Sequence, residues 1–400
     1  MKTKSIFKLI IAVLLVSALL AGCAQPVATP AEEAAPAEKA APAEEAAPAA
    51  EAAPAEAAPA EEVFTLDNPK GFKPEAWSDA MTDCSKFKTD PPWTIGVSNY
   101  GVQNTWRIQM MAELQFAADQ DPRIKELIIL NADGNVAKQV ADIGDLVTRD
   151  IDLLLVLPVS SDGIKPAIDD AVAAGIPVVV FNNQLAGENF ESMVWIDEFK
   201  FGWIGGYWLN EQLGGKGKVV ILEGVPGTST SDLRTKGAED AFGSGIEVLA
   251  KQPANWDYAT GKQVMEDFIA AYPQIDGIYS QGGAMSLGAL EALIAAGRDV
   301  VPVPSEGNNG FLKFWKTQLD EGKDFSSVGP DEATWQSSEA LRQGVMCLEG
   351  KSIEKWHELP LPVITNDNLD QYVRMDCPDD LWSNTQMSAE VVSDLYKCGQ

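Results

Sequence analysis

The runs LLLV in DLLLVLP (152–158) and VVVF in PVVVFNN (177–183) are apolar at every position. A strand with one wet face alternates apolar and polar residues. A strand that does not alternate is covered on both faces, as in parallel sheets flanked by helices. Further strand candidates are TIGVS (94–98), ELIILNA (126–132), KVVILEG (218–224) and GIYSQG (277–282). VVPVPSEG (300–307) is a weaker one, because proline cannot donate to a ladder. Between them lie helical patterns at 138–150, 163–175, 261–273 and 286–297. The second of these ends in Gly175 and leads to Pro177, a helix stop. This alternation predicts an α/β fold of doubly wound parallel sheets. The stretch from about Pro91 to Gly350 is too long for one core, so two lobes are expected.

The segments at the strand ends are as informative as the strands. SNYGVQN, NADGN, PVSSD, NNQ, EGVPGTS, QGGA and SEGNN are polar, small and turn-forming. In open parallel sheets the carboxyl ends of the strands line the ligand crevice. Two lobes facing each other would enclose a cleft rich in hydrogen-bonding groups.

The ends of the chain read differently. MKTKSIFK followed by LIIAVLLVSALL has the charge and length of an export signal over residues 1–22. LAGC, ending at Cys23, resembles a bacterial lipoprotein signal, which implies cleavage before Cys23 and a lipid on its thiol. Residues 23–62 are almost wholly Ala, Pro and Glu and lack the apolar variety to bury a core; they read as a disordered tether. Membrane contact is then expected through the lipid alone. The net charge of −29 argues against a nucleic-acid partner, since phosphate recognition relies on a basic face. Cys84, Cys347, Cys377 and Cys398 permit two disulfides in three pairings, and none is spaced like a metal site.

Three stretches carry chemistry. In SNYGVQNTWRIQM (98–110), Asn104 or Thr105 can cap a helix whose apolar stripe is Ile108, Met111, Leu114 and Ala118. Trp106 lies off that stripe, and Arg107 in the first turn opposes the helix dipole. They read as an aromatic platform and a hydrogen-bond fork at the cleft, or as a surface tryptophan beside a solvated arginine. EGVPGTSTSDLR (223–234) lacks the Lys-Ser/Thr ending of a nucleotide loop; Thr228 to Asp232 can cap a helix that carries Arg234. In QPANWDYATGK (252–262), Trp256 with Asp257 suits stacking on a sugar ring and accepting from its hydroxyls, against a purely structural tryptophan. The lone His357 has no neighbouring nucleophile and reads as structural or solvated, so no catalytic residues are assigned and no cofactor is expected.

In that order, TIGVS…NTWR, NADGNVAKQVADIGDLV, PVSSDGI, AGIPVVVFNNQ, LEGVPGTSTSDLRTKG, QPANWDYATGKQVMEDFI and GIYSQGGAMSLGALEAL resemble the periplasmic sugar-binding proteins of ABC importers, over Thr94 to Pro362. The nearest resemblance is to the ribose-, galactose- and galactofuranose-binding group. It implies two lobes joined by a three-strand hinge and closing on a ligand. One lobe would hold 91–196 and 332–358, the other 197–331 and 359–365, after an N-terminal extension at 63–90 and before a C-terminal one at 366–400. Asn104, Trp106 and Arg107 fall on the first ligand loop, Arg234 on the arginine reaching from the second lobe, and Trp256 on the second stacking aromatic. Glu306 stands where the group has an aspartate, and Asp331 aligns with a polar hinge residue. Asn182–Asn183 replace the usual Asp-Arg pair, and Gly282–Gly283 replace the usual Asn-Asp pair and are expected to open space. Ribose is therefore disfavoured against a larger or deoxy sugar, a decorated ring or a polyol.

The implied function is an extracytoplasmic, lipid-anchored and monomeric binding protein. It would deliver a sugar or polyol to an ABC permease and its ATPase, without metal or catalysis. Three alternatives are a binding protein feeding a membrane receptor, a repressor of related fold, and an exported carbohydrate-active enzyme using Asp257 and Glu306. The export signal and acidic charge count against the repressor.

Overall fold

The computed structural model describes residues 64–399 except 75, 76 and 78. The export signal, Cys23 and the Ala/Pro/Glu segment lie outside the described residues. Along the chain, the first elements are β1 (Met81–Thr82), β2 (Trp93–Asn99), α1 (Thr105–Gln120), β3 (Ile124–Asn131), α2 (Val136–Val147), β4 (Leu153–Val156), α3 (Lys165–Ala173), β5 (Val178–Phe181) and β6 (Ser192–Trp195). Next come α4 (Glu198–Gln212), β7 (Lys216–Glu223), α5 (Ser229–Ala241), β8 (Gly245–Pro253), α6 (Tyr258–Ala271), β9 (Gly277–Ser280), α7 (Gly283–Ala295), α8 (Asn309–Asp320) and β10 (Gly329–Pro330). The last are α9 (Gln336–Leu348), β11 (Ile353–Glu354), β12 (Trp356–Glu358), β13 (Val363–Ile364) and α10 (Ala389–Tyr396).

The fold is α/β, with two parallel sheets. The first has the order β12-β6-β5-β4-β2-β3, the second β8-β7-β9. The non-alternating runs behave as their sequence demands. Leu153, Leu155, Val179 and Phe181 pack on one side of the first sheet with Met110 and Leu114 of α1 and Leu341 and Val345 of α9. Leu154, Val156, Val178 and Val180 pack on the other side with Ile143 and Leu146 of α2 and Ile168 of α3. In the second sheet Val220 and Leu222 face one core while Val219 and Ile221 face another.

The chain passes from the first sheet to the second after β6, returns between β10 and α9, and crosses again after β12. These crossings lie side by side: Leu359 N–H donates to Trp195 O at 2.8 Å, Asp331 N–H to Pro362 O at 2.9 Å, and β10 pairs with β13.

The structure corrects the sequence-based expectation at several elements. Residues 300–307 form no strand. Pro302 and Pro304 have no N–H to give, so the segment runs beside β9 on single bonds such as Ile278 N–H to Pro302 O at 3.0 Å. β6, β8 and β12, absent from the candidate strands, complete the sheets, β8 and β12 as edges. On α1, Met111, Leu114 and Ala118 of the expected apolar stripe are buried, but Ile108 is 53% exposed and Met110 is buried in its place. The cysteines pair as Cys84–Cys347 and Cys377–Cys398.

Candidate functional site

The loop after β2 ends at Asn104, whose Oδ1 accepts from Arg107 N–H at 2.9 Å and so caps α1. The cap fixes the first turn, and Trp106 and Arg107 point inward rather than to solvent, at 7% and 3% exposure. The Arg107 guanidinium lies 4.0 Å from the centre of the Tyr100 ring, and its Nη1 has no hydrogen-bond partner among the described residues. Burial, with no carboxylate bonded to offset it, pulls its pKa down to about 10.

The second lobe supplies the facing wall. Asn255 and Trp256 sit at φ 57° and 55°, and a bulky aromatic in the left-handed region is a strained conformation. That turn lays the indole against two glycines. A Cβ on Gly224 would fall 2.1 Å from Trp256 Cζ2, and one on Gly282 2.8 Å from Trp256 Cδ1. A Cβ on Gly283 would meet Asn308 Cβ at 2.4 Å. The space expected to open at Gly282–Gly283 is thus filled by Trp256 and Asn308.

Arg234, on α5, is the most heavily engaged side chain of the site. Its Nε donates to Glu198 Oε2 at 2.7 Å, Nη1 to Gln281 O at 2.7 Å, and Nη2 to Glu332 Oε2 at 2.5 Å. Glu306 Oε1 is 3.6 Å from Nη1, and the guanidinium lies 3.5 Å from the Phe201 ring centre. Burial alone would lower the Arg234 pKa; Glu198, Glu332 and Glu306 outweigh it and raise it. Burial pushes the Glu198 carboxyl up to about 8 and that of Glu306 well above its usual range, with Arg234 opposing both.

Asn104, Trp106, Arg107, Asn182, Arg234, Trp256 and Glu306 line one cavity. Thr230, inside the 223–234 stretch, lines it too, as do Glu332 and Trp382, which no sequence motif marks. Asn182, at φ 63°, donates to Glu332 Oε1 at 2.7 Å. The other three expected residues do not line the cavity. Asn183 donates to Pro158 O at 2.7 Å and accepts from Thr230 Oγ1 at 3.1 Å. Asp257 is turned away by its own capping duty: Oδ1 accepts from Thr260 N–H at 2.8 Å and from its hydroxyl at 2.7 Å. It lies instead, with Tyr258 and Asn308, at an adjoining groove that shares Asn104 and Trp256 with the cavity. Asp331 accepts from Ser383 Oγ at 2.7 Å, and burial raises its pKa to about 7. Asp257 and Glu306 therefore do not face each other across the cavity as a catalytic pair would. His357 bonds Glu339 at 2.9 Å and Glu354 at 2.6 Å, among residues that do not line the cavity. Among the described residues the one clustered set of metal-ligating groups is Asp376, Cys377 and Cys398, and both thiols are consumed by a disulfide.

The arrangement presents unpaired polar atoms to the cavity. Trp106 Nε1, Arg107 Nη1 and Trp256 Nε1 are buried N–H groups without a hydrogen-bond partner among the described residues, and Glu306 Oε1 is a buried acceptor in the same position. Buried polar atoms are ordinarily paired, so four such atoms around one cavity mark where a ligand's own polar groups belong.

Comparison with known proteins points the same way. A family model described as periplasmic binding protein domain matches residues 95–352. The ribose import binding protein of Bacillus subtilis (strain 168) is 28% identical over 294 residues, covering 74% of this chain and 93% of that protein. The xylitol-binding protein of Mycolicibacterium smegmatis (strain ATCC 700084 / mc(2)155) is 31% identical over 249 residues, 61% of this chain and 70% of that one. In fold, the chain resembles an ABC transporter solute-binding protein of Bacillus halodurans C-125 solved with bound myo-inositol: TM-score 0.64, 23% identity, 70% of this chain and 97% of that one.

Proposed function

This chain belongs to the periplasmic binding protein domain family, and on that premise we propose that it is the solute-binding subunit of an ABC sugar importer, capturing a sugar or polyol between its lobes. The observation that carries the choice of ligand is the set of unpartnered buried atoms at Trp106, Arg107, Trp256 and Glu306. Three donors and one acceptor suit hydroxyl groups, which both accept and donate. The two indoles, one from each lobe, suit the C–H faces of a ring or carbon chain. The filled space at Gly282–Gly283 removes one reason to expect a larger sugar. The xylitol-binding relative supports a polyol as one candidate.

Binding shifts the lobes toward the closed form because only that form touches the ligand from both sides. The permease then takes up the loaded protein. Both carboxylates that line the cavity, Glu306 and Glu332, are held by Arg234, and capture is the chemistry this reading assigns to the site. The family places such proteins outside the cytoplasm. The Cys23 motif and the Ala/Pro/Glu segment after it support attachment to a membrane by lipid.

A thermal-shift screen of the purified protein over pentoses, hexoses, deoxy sugars and polyols tests this reading. A ligand at 100 times its Kd should add about 2.7 kcal/mol of stability. Trp106→Ala should abolish the shift. Tight binding of free ribose would reject the ligand class, and unchanged affinity in Trp106→Ala would reject the site.

A further inference from the structure

The family match ends at residue 352, yet a side chain from far beyond it, Trp382, lines the cavity. The segment that carries it is bonded to both lobes. On the second lobe, Arg374 N–H donates to Asn309 Oδ1 at 2.8 Å, Asn309 N–H to Leu381 O at 2.8 Å, and Gly310 N–H to Asp379 O at 2.9 Å. On the first lobe, Gln109 of α1 holds the main chain of Trp382 at both ends: its Oε1 accepts from Trp382 N–H and its Nε2 donates to Trp382 O, each at 2.9 Å. Gln109 is fully buried, and its Oε1 also accepts from Tyr396 OH at 2.7 Å. Between these anchors the strap runs along the hinge. Ser383 Oγ donates to Asp331 Oδ2 and Asn384 Nδ2 to Asp331 O, each at 2.7 Å.

The chemistry of Trp382 differs from that of the other two indoles. Its Nε1 already donates to Thr105 Oγ1 at 2.9 Å, whereas those of Trp106 and Trp256 have no partner. With its N–H spent, Trp382 gives the cavity an apolar ring surface only. It is 2% exposed and packs into the first-lobe core with Trp106 and Met110, so it cannot swing aside without disturbing that core.

We propose that Trp382 is a specificity-determining wall of the ligand cavity, delivered by a C-terminal strap bonded to both lobes. This inference rests on the reading of the cavity as a sugar or polyol site. The wall selects a ligand that turns a C–H face, a methyl group or a deoxygenated carbon toward it, and it excludes one with a hydroxyl at that position. Such a hydroxyl would be buried with no partner.

The test is isothermal titration of the same sugar and polyol panel against wild type, Trp382→Ala, Trp382→Leu and Trp106→Ala. Thermal unfolding checks that each variant is folded. Trp382→Ala should lose at least about tenfold in affinity for the preferred ligand and relax the ranking toward bulkier or more hydroxylated compounds. If that variant fails to fold, Trp382→Leu keeps an apolar side chain in the core, and the change in ranking carries the test. A folded Trp382 variant with wild-type affinity and ranking, alongside a Trp106→Ala that has lost binding, overturns the strap's role and leaves the sugar site standing. Wild type binding nothing in the panel overturns both.

Discussion

Arg234 answers to three carboxylates at once, and that fixes what its loss would do. In Arg234→Met, Glu198 and Glu332 lose their only direct cationic partner among the described residues while staying buried. Breaking a buried ion pair from one side costs about 3–5 kcal/mol, so urea unfolding of the ligand-free protein should show a loss of that order. Glu306 behaves in the opposite way. Burial raises its pKa above the ordinary 4.5, so the folded state holds a proton that the unfolded state gives up. The native state then binds more protons above pH 4.5, and this residue's contribution falls as pH climbs toward its folded pKa. Glu306→Gln should therefore shift the ligand-free unfolding midpoint little at pH ~4 and upward at pH ~8. A downward shift at the higher pH would show that the ionised carboxylate stabilises the fold. Glu306→Leu, which removes the acceptor, should weaken ligand binding, because Oε1 is the cavity's unpartnered acceptor. Trp106 and Arg107 were legible in the sequence because their positions made poor sense for local stability. Glu332 and Trp382 were not. Glu332 follows Asp331 in a segment without a motif, and Trp382 reaches the cavity only through tertiary contacts 273 positions away from Gln109.

At the scale of elements, the precision of Arg234 comes from two helices in backbone contact. A Cβ on Gly202 of α4 would fall 2.0 Å from Arg234 O, and one on Gly237 of α5 would fall 2.1 Å from Phe199 O. No side chain stands between the helices there, so Arg234 on α5 can reach Glu198 on α4. Gly202→Ala improves intrinsic helix propensity by about 1 kcal/mol. It also forces backbone apart, and overpacking costs about 1–3 kcal/mol. The net expectation is a lower thermal midpoint together with weaker ligand affinity, because Arg234 and its three carboxylates are displaced as a unit. A Gly202→Ala protein with an unchanged midpoint would mean that the helices separate freely. The central strands β4, β5 and β7 were legible because apolar-on-both-faces is a strong signal, whereas the short β6, though central and buried, was not. The edge strands β8 and β12 were not, since an edge needs less burial and its sequence mixes Lys, Gln, His and Glu among the apolar residues. Residues 300–307 failed for the complementary reason: apolar content suggested a strand, while Pro302 and Pro304 removed two of its donors.

For the whole molecule the question is what bends and what stays tied. Direct bonds cross the cleft, among them Gln184 N–H to Ser229 Oγ at 3.0 Å and Thr230 Oγ1 to Asn183 Oδ1 at 3.1 Å, so the lobes are closed on each other. Neither disulfide joins the lobes. Cys84–Cys347 fastens the N-terminal extension to α9 across 263 positions, and Cys377–Cys398 closes the strap on itself across 21. Each restricts the unfolded chain, with stabilisation of about 2–4 kcal/mol typical and more expected for the longer loop. Stability and closure should therefore separate. Reduction with dithiothreitol should lower the thermal midpoint, and Cys84→Ser/Cys347→Ser should reproduce most of the fall. Small-angle scattering should still show ligand-dependent compaction in that variant, because the three crossings and the strap remain. The sharper comparison is Cys377→Ser/Cys398→Ser. Its midpoint should fall less, yet its ligand affinity should suffer more, because the loosened strap positions Trp382. The reverse ranking, with the longer disulfide controlling affinity, would place the coupling between fold and ligand in the N-terminal extension instead.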